Sequence, residues 1–145
     1  MATFRLRVVT PERTVLDRAV LEILTRSVEG ELGVLPRHMP LITPLVANAL
    51  TVYVEDQSPF HVAVAGGFLE VNEREVLVLA DSAELPEDID VTRAESARNR
   101  AQSRLEQGGE EIDVARAKRA LARAESRLAV VDQGRARGAA SVSAK

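Results

Sequence analysis

Residues 3 to about 83 carry apolar side chains at the spacing of β-strands. The segment "FRLRVV" at 4–9 alternates apolar and charged residues, as a half-buried strand does. Further short runs rich in β-branched residues follow, separated by turn-forming segments such as "EDQSP" and "NERE". These runs are "TVYV", "HVAVA", "FLEV" and "VLVLA". Because no helical stretch lies between them, the pattern predicts an all-β N-terminal sandwich or barrel.

After Pro86 the apolar spacing becomes that of helices. At about 100° per residue, each of two segments places its apolar side chains on one face. The members are Val91, Ala94, Ala97, Ala101 and Leu105 in the first segment, and Val114, Ala117, Leu121, Ala124, Leu128 and Val131 in the second. Asp90 and Asp113 are predicted N-caps, and Gly108-Gly109 breaks the pattern between them. The sequence therefore predicts a C-terminal antiparallel α-helical hairpin.

The expected organisation is a β-sandwich domain over 1–85, a helical hairpin over 86–131 and a mobile tail over 132–145. The seam between the helices is mostly alanine, which buries little apolar area. We therefore expect the hairpin to dock reversibly. The tail, "DQGRARGAASVSAK", shows no periodicity and contains no large apolar residue except valine.

Composition excludes several classes of protein. A formal net charge of -3 gives no overall attraction to nucleic acid or to an anionic membrane. The absence of cysteine excludes disulfides and thiolate chemistry. No apolar run is long enough for a comfortable membrane span, and the first twenty residues lack a signal-peptide core. We expect a soluble, cytoplasmic protein.

The chain repeats a phrase at the start of each predicted helix, "EDIDVTRA" at 87–94 and "EEIDVARA" at 110–117. Each copy opens a helix with an arginine stripe about 100° from the apolar face, turned in the same sense. The stripes contain Arg93, Arg100 and Arg104, and Arg116, Arg119, Arg123 and Arg127. When two such helices pack antiparallel along their apolar faces, both stripes emerge on the same side. The repeat therefore predicts one cationic face on the hairpin.

Three interpretations of this face are open: a solvated surface, a binding site for a phosphate compound, and a contact for an acidic surface of a partner. Arginines spaced four apart usually have acids between them, because like charges at that spacing are destabilising. Arg100 and Arg123 have no acid among their neighbours on their own helix. This favours an anion supplied from elsewhere.

Several segments together resemble the epsilon subunit of the bacterial F-type ATP synthase. They are "EGELGVLPRHMPLITPL" at 29–45, "VAVAGGFLEV" at 62–71, "VLADSAE" at 78–84 and "DIDVTRA" at the start of the helix pair. The resemblance covers residues 3–131. It implies a flattened ten-stranded sandwich followed by the hairpin, in a central-stalk rotor subunit that contacts the gamma subunit and the c-ring and is peripheral to the cytoplasmic face of the inner membrane.

The resemblance also implies regulation of a proton- or sodium-translocating ATP synthase. In such proteins the hairpin inhibits ATP hydrolysis when it extends toward the alpha and beta subunits. No cofactor is obligatory, and ATP is a regulatory ligand of the folded-down hairpin in several members. The nucleotide contacts implied here are Glu84, Ile89, Asp90, Arg93, Ala94, Arg100, Arg123 and Arg127. The second copy, with Ile112 and Asp113, is not a nucleotide motif in this family.

The resemblance assigns a rotor-facing role to "EGELGVLPRHMPL", with Glu31 and His38 as candidate contacts. Arg37 stands where family members usually have glycine. If that position requires a positive φ, the arginine there is strained.

An enzyme is not expected, because no catalytic constellation accompanies the two histidines and Gly66-Gly67 lacks the residues of a phosphate loop. Gly66-Gly67 is instead predicted to form a tight turn or bulge. The alternative function is a stand-alone β-sandwich ligand-binding module with a helical dimerisation tail. Neither interpretation includes nucleic acid, a metal site or direct membrane insertion.

Overall fold

The computed structural model describes residues 1–109 and 111–143, and for 111, 112 and 135–143 it describes the backbone alone. Among the described residues, ten strands precede a short 3₁₀ turn at Pro86–Asp88 and two helices. The strands are β1 Phe4–Val9, β2 Thr14–Val20, β3 Glu22–Ser27, β4 Gly30–Val34, β5 Leu41–Leu45, β6 Asn48–Tyr53, β7 Phe60–Val64, β8 Gly67–Val71, β9 Glu75–Ala80 and β10 Ala83–Glu84. The helices are α1 Val91–Gln107 and α2 Glu111–Ser143. The predicted fold class is confirmed.

The strands form one sheet that folds over itself into two layers. Their order is β10-β7-β6-β3-β5-β8-β9-β1-β2, with β4 paired to the remaining edge of β3. Only the β1–β9 pair is parallel among the described strands. A single residue pair, Ser27 with Leu45, joins β3 to β5. This narrow connection lets the sheet turn from one layer into the other.

Alternation along the strands builds an aliphatic core between the layers. Leu6 and Val8 of β1 are fully buried, while Arg5 between neighbouring core positions is exposed. The other large side chains of the strands that are fully buried are Val20, Ile23, Val34, Leu50, Val52, Val62, Val64, Leu69 and Val78. Valine dominates this list because a β-branched side chain suits a pleated, buried surface.

Gly66 and Gly67 allow β8 to approach β9 closely. Both have positive φ, at 114° and 128°. A Cβ on Gly67 would lie 2.0 Å from the carbonyl oxygen of Leu79, closer than two such atoms can come. The predicted tight backbone feature is therefore present at the start of β8, and any side chain at residue 67 is excluded.

The helices pack through small residues, as the apolar pattern predicts. Ala94 and Ala101 of α1 and Ala117 and Ala124 of α2 are each at most 3 % exposed. Val130 of α2 is also fully buried, although it lies outside the predicted seam. It joins Ala63, Ile89 and Val131 in a second apolar cluster, which fastens the hairpin to the sandwich.

Two boundaries of α2 differ from those predicted. The helix begins at Glu111, so Asp113 lies in the first turn and is not the N-cap. In the first turn the Asp113 carboxylate interacts favourably with the positive end of the helix but does not cap it. The helix also continues past residue 131 to Ser143, through the segment predicted as a non-periodic tail. Its alanines and arginines favour a helix, and Gly134 and Gly138 cost only about 1 kcal/mol each. Mobility of this segment stays a prediction, and residues 144 and 145 lie outside the described ones.

Candidate functional site

A cleft of about 650 Å³ lies where the sandwich, the 3₁₀ turn and the hairpin meet. We call it the junction cleft. Its walls contain Thr10, Glu12, Arg13, Asp81, Ser82, Ala83, Glu84, Asp88, Asp90, Arg93, Ala94, Ala97, Arg100 and Arg127. The volume is in the range of small-molecule sites. Six of the eight predicted nucleotide contacts thus line one cavity.

Asp90 caps α1 as predicted. Its Oδ1 accepts a hydrogen bond from the backbone N–H of Arg93 at 3.1 Å, and its backbone is extended. The cap fixes the start of the helix, so that Arg93 leaves the first turn toward the cleft while Ala94 packs inward. Ile89, only 8 % exposed, belongs to the second apolar cluster and does not line the cleft.

Arg127 and Glu84 form an ion pair across the domain boundary. Arg127 Nε donates to Glu84 Oε1 at 2.5 Å, and both side chains are about three-tenths exposed. Among the described residues, this is the ion pair that joins the hairpin to the strands of the sandwich. Glu84 is thus already engaged by a cation in the closed molecule.

A smaller cleft of about 180 Å³ lies between the helices and adjoins the junction cleft. Its walls are Ala97, Arg100, Ala101, Arg104, Ala120, Arg123 and Arg127. The small alanine side chains keep this space open between the helices, and two arginines from each helix surround it. The structure therefore brings the stripe residues of both helices together, Arg123 included. Ala97, Arg100 and Arg127 belong to both clefts.

The two clefts together are electrostatically asymmetric. The interhelix end carries Arg100, Arg104, Arg123 and Arg127 without any carboxylate in its walls. The junction end adds Arg13 and Arg93 but also five acids, Glu12, Asp81, Glu84, Asp88 and Asp90. Among the described residues, no carboxylate is ion-paired with Arg93, Arg100 or Arg123. Such a site suits a ligand with an anionic end and a hydrogen-bond-donating end.

One wall of the junction cleft was not predicted from the sequence. Thr10, Glu12 and Arg13 belong to the β1–β2 turn, far in sequence from the hairpin, and Asp81 and Ser82 come from the β9–β10 turn. No local pattern marks these residues as part of a site. Only the order of the strands brings the two turns beside α1.

Another cavity of about 660 Å³ lies between α2 and the strands β3, β4 and β6. Its single arginine, Arg26, is paired with Glu31 at 3.2 Å, and Thr25 Oγ1 donates to Asn48 Oδ1 at 3.0 Å. The other walls are mostly small or apolar. This cavity is as large as the junction cleft but offers no unpaired cation.

The two predicted rotor contacts lie on different cavities. Glu31 is on β4 with its side chain 83 % exposed, whereas His38 lines a cleft beside the N-terminus. Arg37 has φ 67°, so the left-handed conformation is present at a non-glycine residue. The His38 N–H donates to the Leu35 carbonyl at 3.2 Å and closes the turn around it.

The outer surface of one sandwich layer carries three exposed apolar side chains, with Glu70 directly opposite Ile42. Ile42 of β5, Phe68 of β8 and Leu79 of β9 are 71, 52 and 46 % exposed, and Phe68 pairs directly with Leu79. We call this surface the outer apolar face. Exposed patches of this kind usually mark an interaction site. The uninterrupted apolar run "VLVLA" was the sequence signal for it, since a strand covered on one side only would alternate.

An ion-pair network borders this layer. Arg7 donates to both oxygens of Glu75 at 2.9 and 3.0 Å, and Arg5 does the same to Asp17 at 2.9 and 2.8 Å. The hydrogen bonds from Arg7 lower the pKa of Glu75, and those from Arg5 lower the pKa of Asp17. The network fixes four side chains at the β9–β1–β2 edge.

Within the described residues, no helix is long and apolar enough to cross a membrane. In the same part of the chain, no cluster of three or more histidine or acidic side chains has the geometry of a metal site. The fold and the clefts together define a class: a ten-stranded sandwich that carries a helix hairpin over a charged cleft at the domain junction.

Comparison with known proteins shows the family to which this chain belongs. The model of the ATP synthase delta/epsilon chain β-sandwich domain matches residues 3–86, and that of the delta/epsilon chain long α-helix domain matches residues 87–132. The chain therefore belongs to the ATP synthase delta/epsilon chain family, whose members are non-catalytic subunits of that complex.

Bacterial relatives named ATP synthase epsilon chain are similar over most of their length. That of Alkalihalophilus pseudofirmus is 50% identical over 105 residues, covering 72% of this chain and 78% of the relative. That of Brevibacillus brevis is 46% identical over 105 residues, covering 72% and 80%. The predicted resemblance is confirmed.

Two solved structures share the fold. A chain of the Euglena gracilis mitochondrial ATP synthase, from an assembly of OSCP, F1 and c-ring, has TM-score 0.75 and 27% identity, with 89% of this chain and 81% of that chain covered. A chain of the Tetrahymena thermophila mitochondrial ATP synthase central stalk and c-ring has TM-score 0.59 and 13% identity, with 90% and 97% covered. The second likeness shows the fold alone.

Proposed function

We propose that this chain is a rotor subunit of the central stalk of a bacterial F-type ATP synthase, at the cytoplasmic face of the inner membrane, where it joins the gamma subunit to the c-ring. The support is family membership together with the outer apolar face. In the complex, gamma covers Ile42, Phe68 and Leu79, and the β4–β5 loop with His38 meets the c-ring. Glu31 flanks that loop on β4.

Copurification of gamma tests the first contact. Phe68→Asp should abolish the recovery of gamma with the tagged chain, because a carboxylate would be buried in an apolar interface. Leu24→Asp is the matched control, since Leu24 is an exposed apolar residue on a different strand, 40 % exposed. Equal recovery of gamma with both variants would place its contact elsewhere and leave the family assignment intact.

We further propose that the closed hairpin binds ATP in the junction and interhelix clefts. The observation that carries this proposal is the convergence of Arg93, Arg100, Arg123 and Arg127 on two adjoining clefts. The triphosphate binds along the helical arginines, from the interhelix end, where the walls carry no acid, to Arg93 at the junction end. Asp90 and Glu84 accept hydrogen bonds from the base or the sugar.

Calorimetric titration of the isolated chain with ATP tests this binding. Arg93→Ala, Arg123→Ala and Arg127→Ala should each weaken binding about tenfold or more, since a charge-assisted hydrogen bond contributes roughly 1.5–3 kcal/mol. Arg119→Ala is the control, because Arg119 is an exposed arginine of α2 outside both clefts. No binding by the unsubstituted chain at millimolar ATP would remove the nucleotide site.

Inhibition of ATP hydrolysis is the third part of the proposal. ATP binding favours the closed hairpin because the junction cleft is complete only when the hairpin lies on the sandwich. Without nucleotide the hairpin extends toward the alpha and beta subunits. Membranes carrying a chain that ends at residue 86 should hydrolyse ATP faster than membranes with the full chain. An equal rate would show that the hairpin does not inhibit in this complex.

A further inference from the structure

The junction cleft has a cation on the sandwich as well as those on the hairpin. Arg13 lies in the β1–β2 turn and lines the same cavity as Arg93, Arg100 and Arg127. A ligand held by the helical arginines alone would bind the hairpin. A ligand that also reaches Arg13 would connect the two domains directly.

The turn holds the backbone of Arg13 in a fixed position. Thr10 Oγ1 accepts from the backbone N–H groups of Glu12 and Arg13, both at 3.3 Å, and donates to the Arg13 carbonyl at 3.2 Å. The Thr10 N–H donates to the same carbonyl at 2.9 Å. The long side chain of Arg13 therefore extends from an ordered base on the rim of the cleft.

The present partner of Arg13 is easily exchanged. Its Nη2 lies 3.3 Å from Asp88 Oδ2, through one contact, with the side chains 55 and 41 % exposed. Exposed single-contact ion pairs contribute little. By contrast, Arg7 donates two hydrogen bonds to Glu75, at 2.9 and 3.0 Å. The triphosphate of ATP, with more negative charge and more acceptor oxygens than one carboxylate, is a stronger partner for Arg13.

We propose that Arg13 is a further nucleotide-binding residue, which leaves Asp88 and donates to a phosphate oxygen of the ligand. This inference rests on the proposed binding of ATP in the clefts. In the bound state the nucleotide bridges a turn of the sandwich and both helices. Asp88 acts as a competitor that holds Arg13 at the rim while the cleft is empty.

This exchange makes opposite predictions for the two members of the ion pair. In calorimetric titrations of the full chain with ATP, Arg13→Gln should weaken binding about tenfold, because a charged donor is lost. Asp88→Asn should leave the affinity unchanged or raise it severalfold, because the competing acceptor charge is removed. Thermal unfolding of each variant without ligand measures what the pair contributes to stability.

If the pair serves only to hold the turn against the 3₁₀ segment, both substitutions should lower ATP affinity by the same factor, and this result would overturn the inference. Unchanged affinity in Arg13→Gln would also overturn it, with ATP binding in the clefts retained. Failure of the unsubstituted chain to bind ATP would overturn the proposed nucleotide site and this inference together.

Discussion

At the scale of the residue, Arg37 is held in a conformation that costs a side chain free energy. Its φ of 67° is left-handed, which is unfavourable by about 1–2 kcal/mol for a residue with a Cβ. Glycine removes this cost but adds about 0.5–1 kcal/mol of unfolded-chain entropy. We expect Arg37→Gly to raise the free energy of unfolding by about 0.5 kcal/mol in urea titrations. Arg74→Gly, at a turn residue without positive φ, should lower it. A less stable Arg37→Gly variant would contradict this account.

Glu75 makes the stability of the sandwich depend on pH. Arg7 lowers the pKa of Glu75 below its ordinary value of 4.5. A carboxyl whose pKa is lowered by folding stabilises the native state above that ordinary value, and the contribution disappears as the pH falls through the native pKa. Glu75→Gln should therefore unfold at lower urea concentration at pH 7 and lose less stability on acidification below about pH 4.5. Glu73→Gln, in the preceding turn, should keep the acid dependence of the unsubstituted chain. Parallel curves for all three proteins would exclude this role.

At the scale of the element, close approach of α1 and α2 depends on alanine. Ala101 is 1 % exposed and lines the interhelix cleft, so a leucine there must either separate the helices or occupy that cleft. Ala101→Leu should destabilise the hairpin by about 1–3 kcal/mol, the usual cost of overpacking. Limited proteolysis between residues 105 and 111 would then be faster, while the sandwich stays intact. Gln102→Leu, one residue along on the exposed surface, should be cleaved at the original rate. Equal protection of Ala101→Leu would show that the seam is loosely packed.

The sequence patterns predicted an element correctly where the burial of its residues depends on a single neighbouring element. The alternation in "FRLRVV" matches β1, and the arginine stripes meet at the interhelix cleft. The patterns did not predict which residues are buried in an element that packs against two other elements. Val130 lies outside the alanine seam because α2 packs on β6 and β7 as well as on α1. The sequence pattern assigned one apolar face to each helix, so it did not predict this second buried face of α2. The helical segment 132–143 was missed because its helix-favouring composition lacks apolar periodicity.

At the scale of the whole molecule, the site is assembled by topology. The resemblance supplied Glu84, Asp90 and the helical arginines, and the structure gathers them around the domain junction. Arg13 could not be inferred from the sequence, since the β1–β2 turn reaches the hairpin only because β1 pairs with β9, which leads into the β9–β10 turn. Ile89 does not line the cleft but packs in the second apolar cluster beside it.

Closure of the hairpin rests on few contacts, and this makes its equilibrium adjustable. Val130 is fully buried in the small cluster with Ala63 and Ile89, and the Arg127–Glu84 pair is the ionic link to the strands among the described residues. Val130→Ala removes two methylene equivalents and should weaken docking by about 1.5–2.5 kcal/mol. The open population should rise without unfolding the sandwich.

Fluorescence transfer can measure this population, because the chain contains no cysteine and a Gln57→Cys, Gln107→Cys pair provides two unique labels. Val130→Ala should shift the distribution of distances in the absence of nucleotide. Saturating ATP should restore the original distribution, since a ligand of the closed state shifts the equilibrium by its differential affinity. Val114→Ala, a partly buried change near the hairpin tip, should leave the distribution unaltered. An identical distribution in Val130→Ala would mean that Val130 does not contribute to docking. A shift that ATP does not reverse would separate apolar docking from nucleotide control.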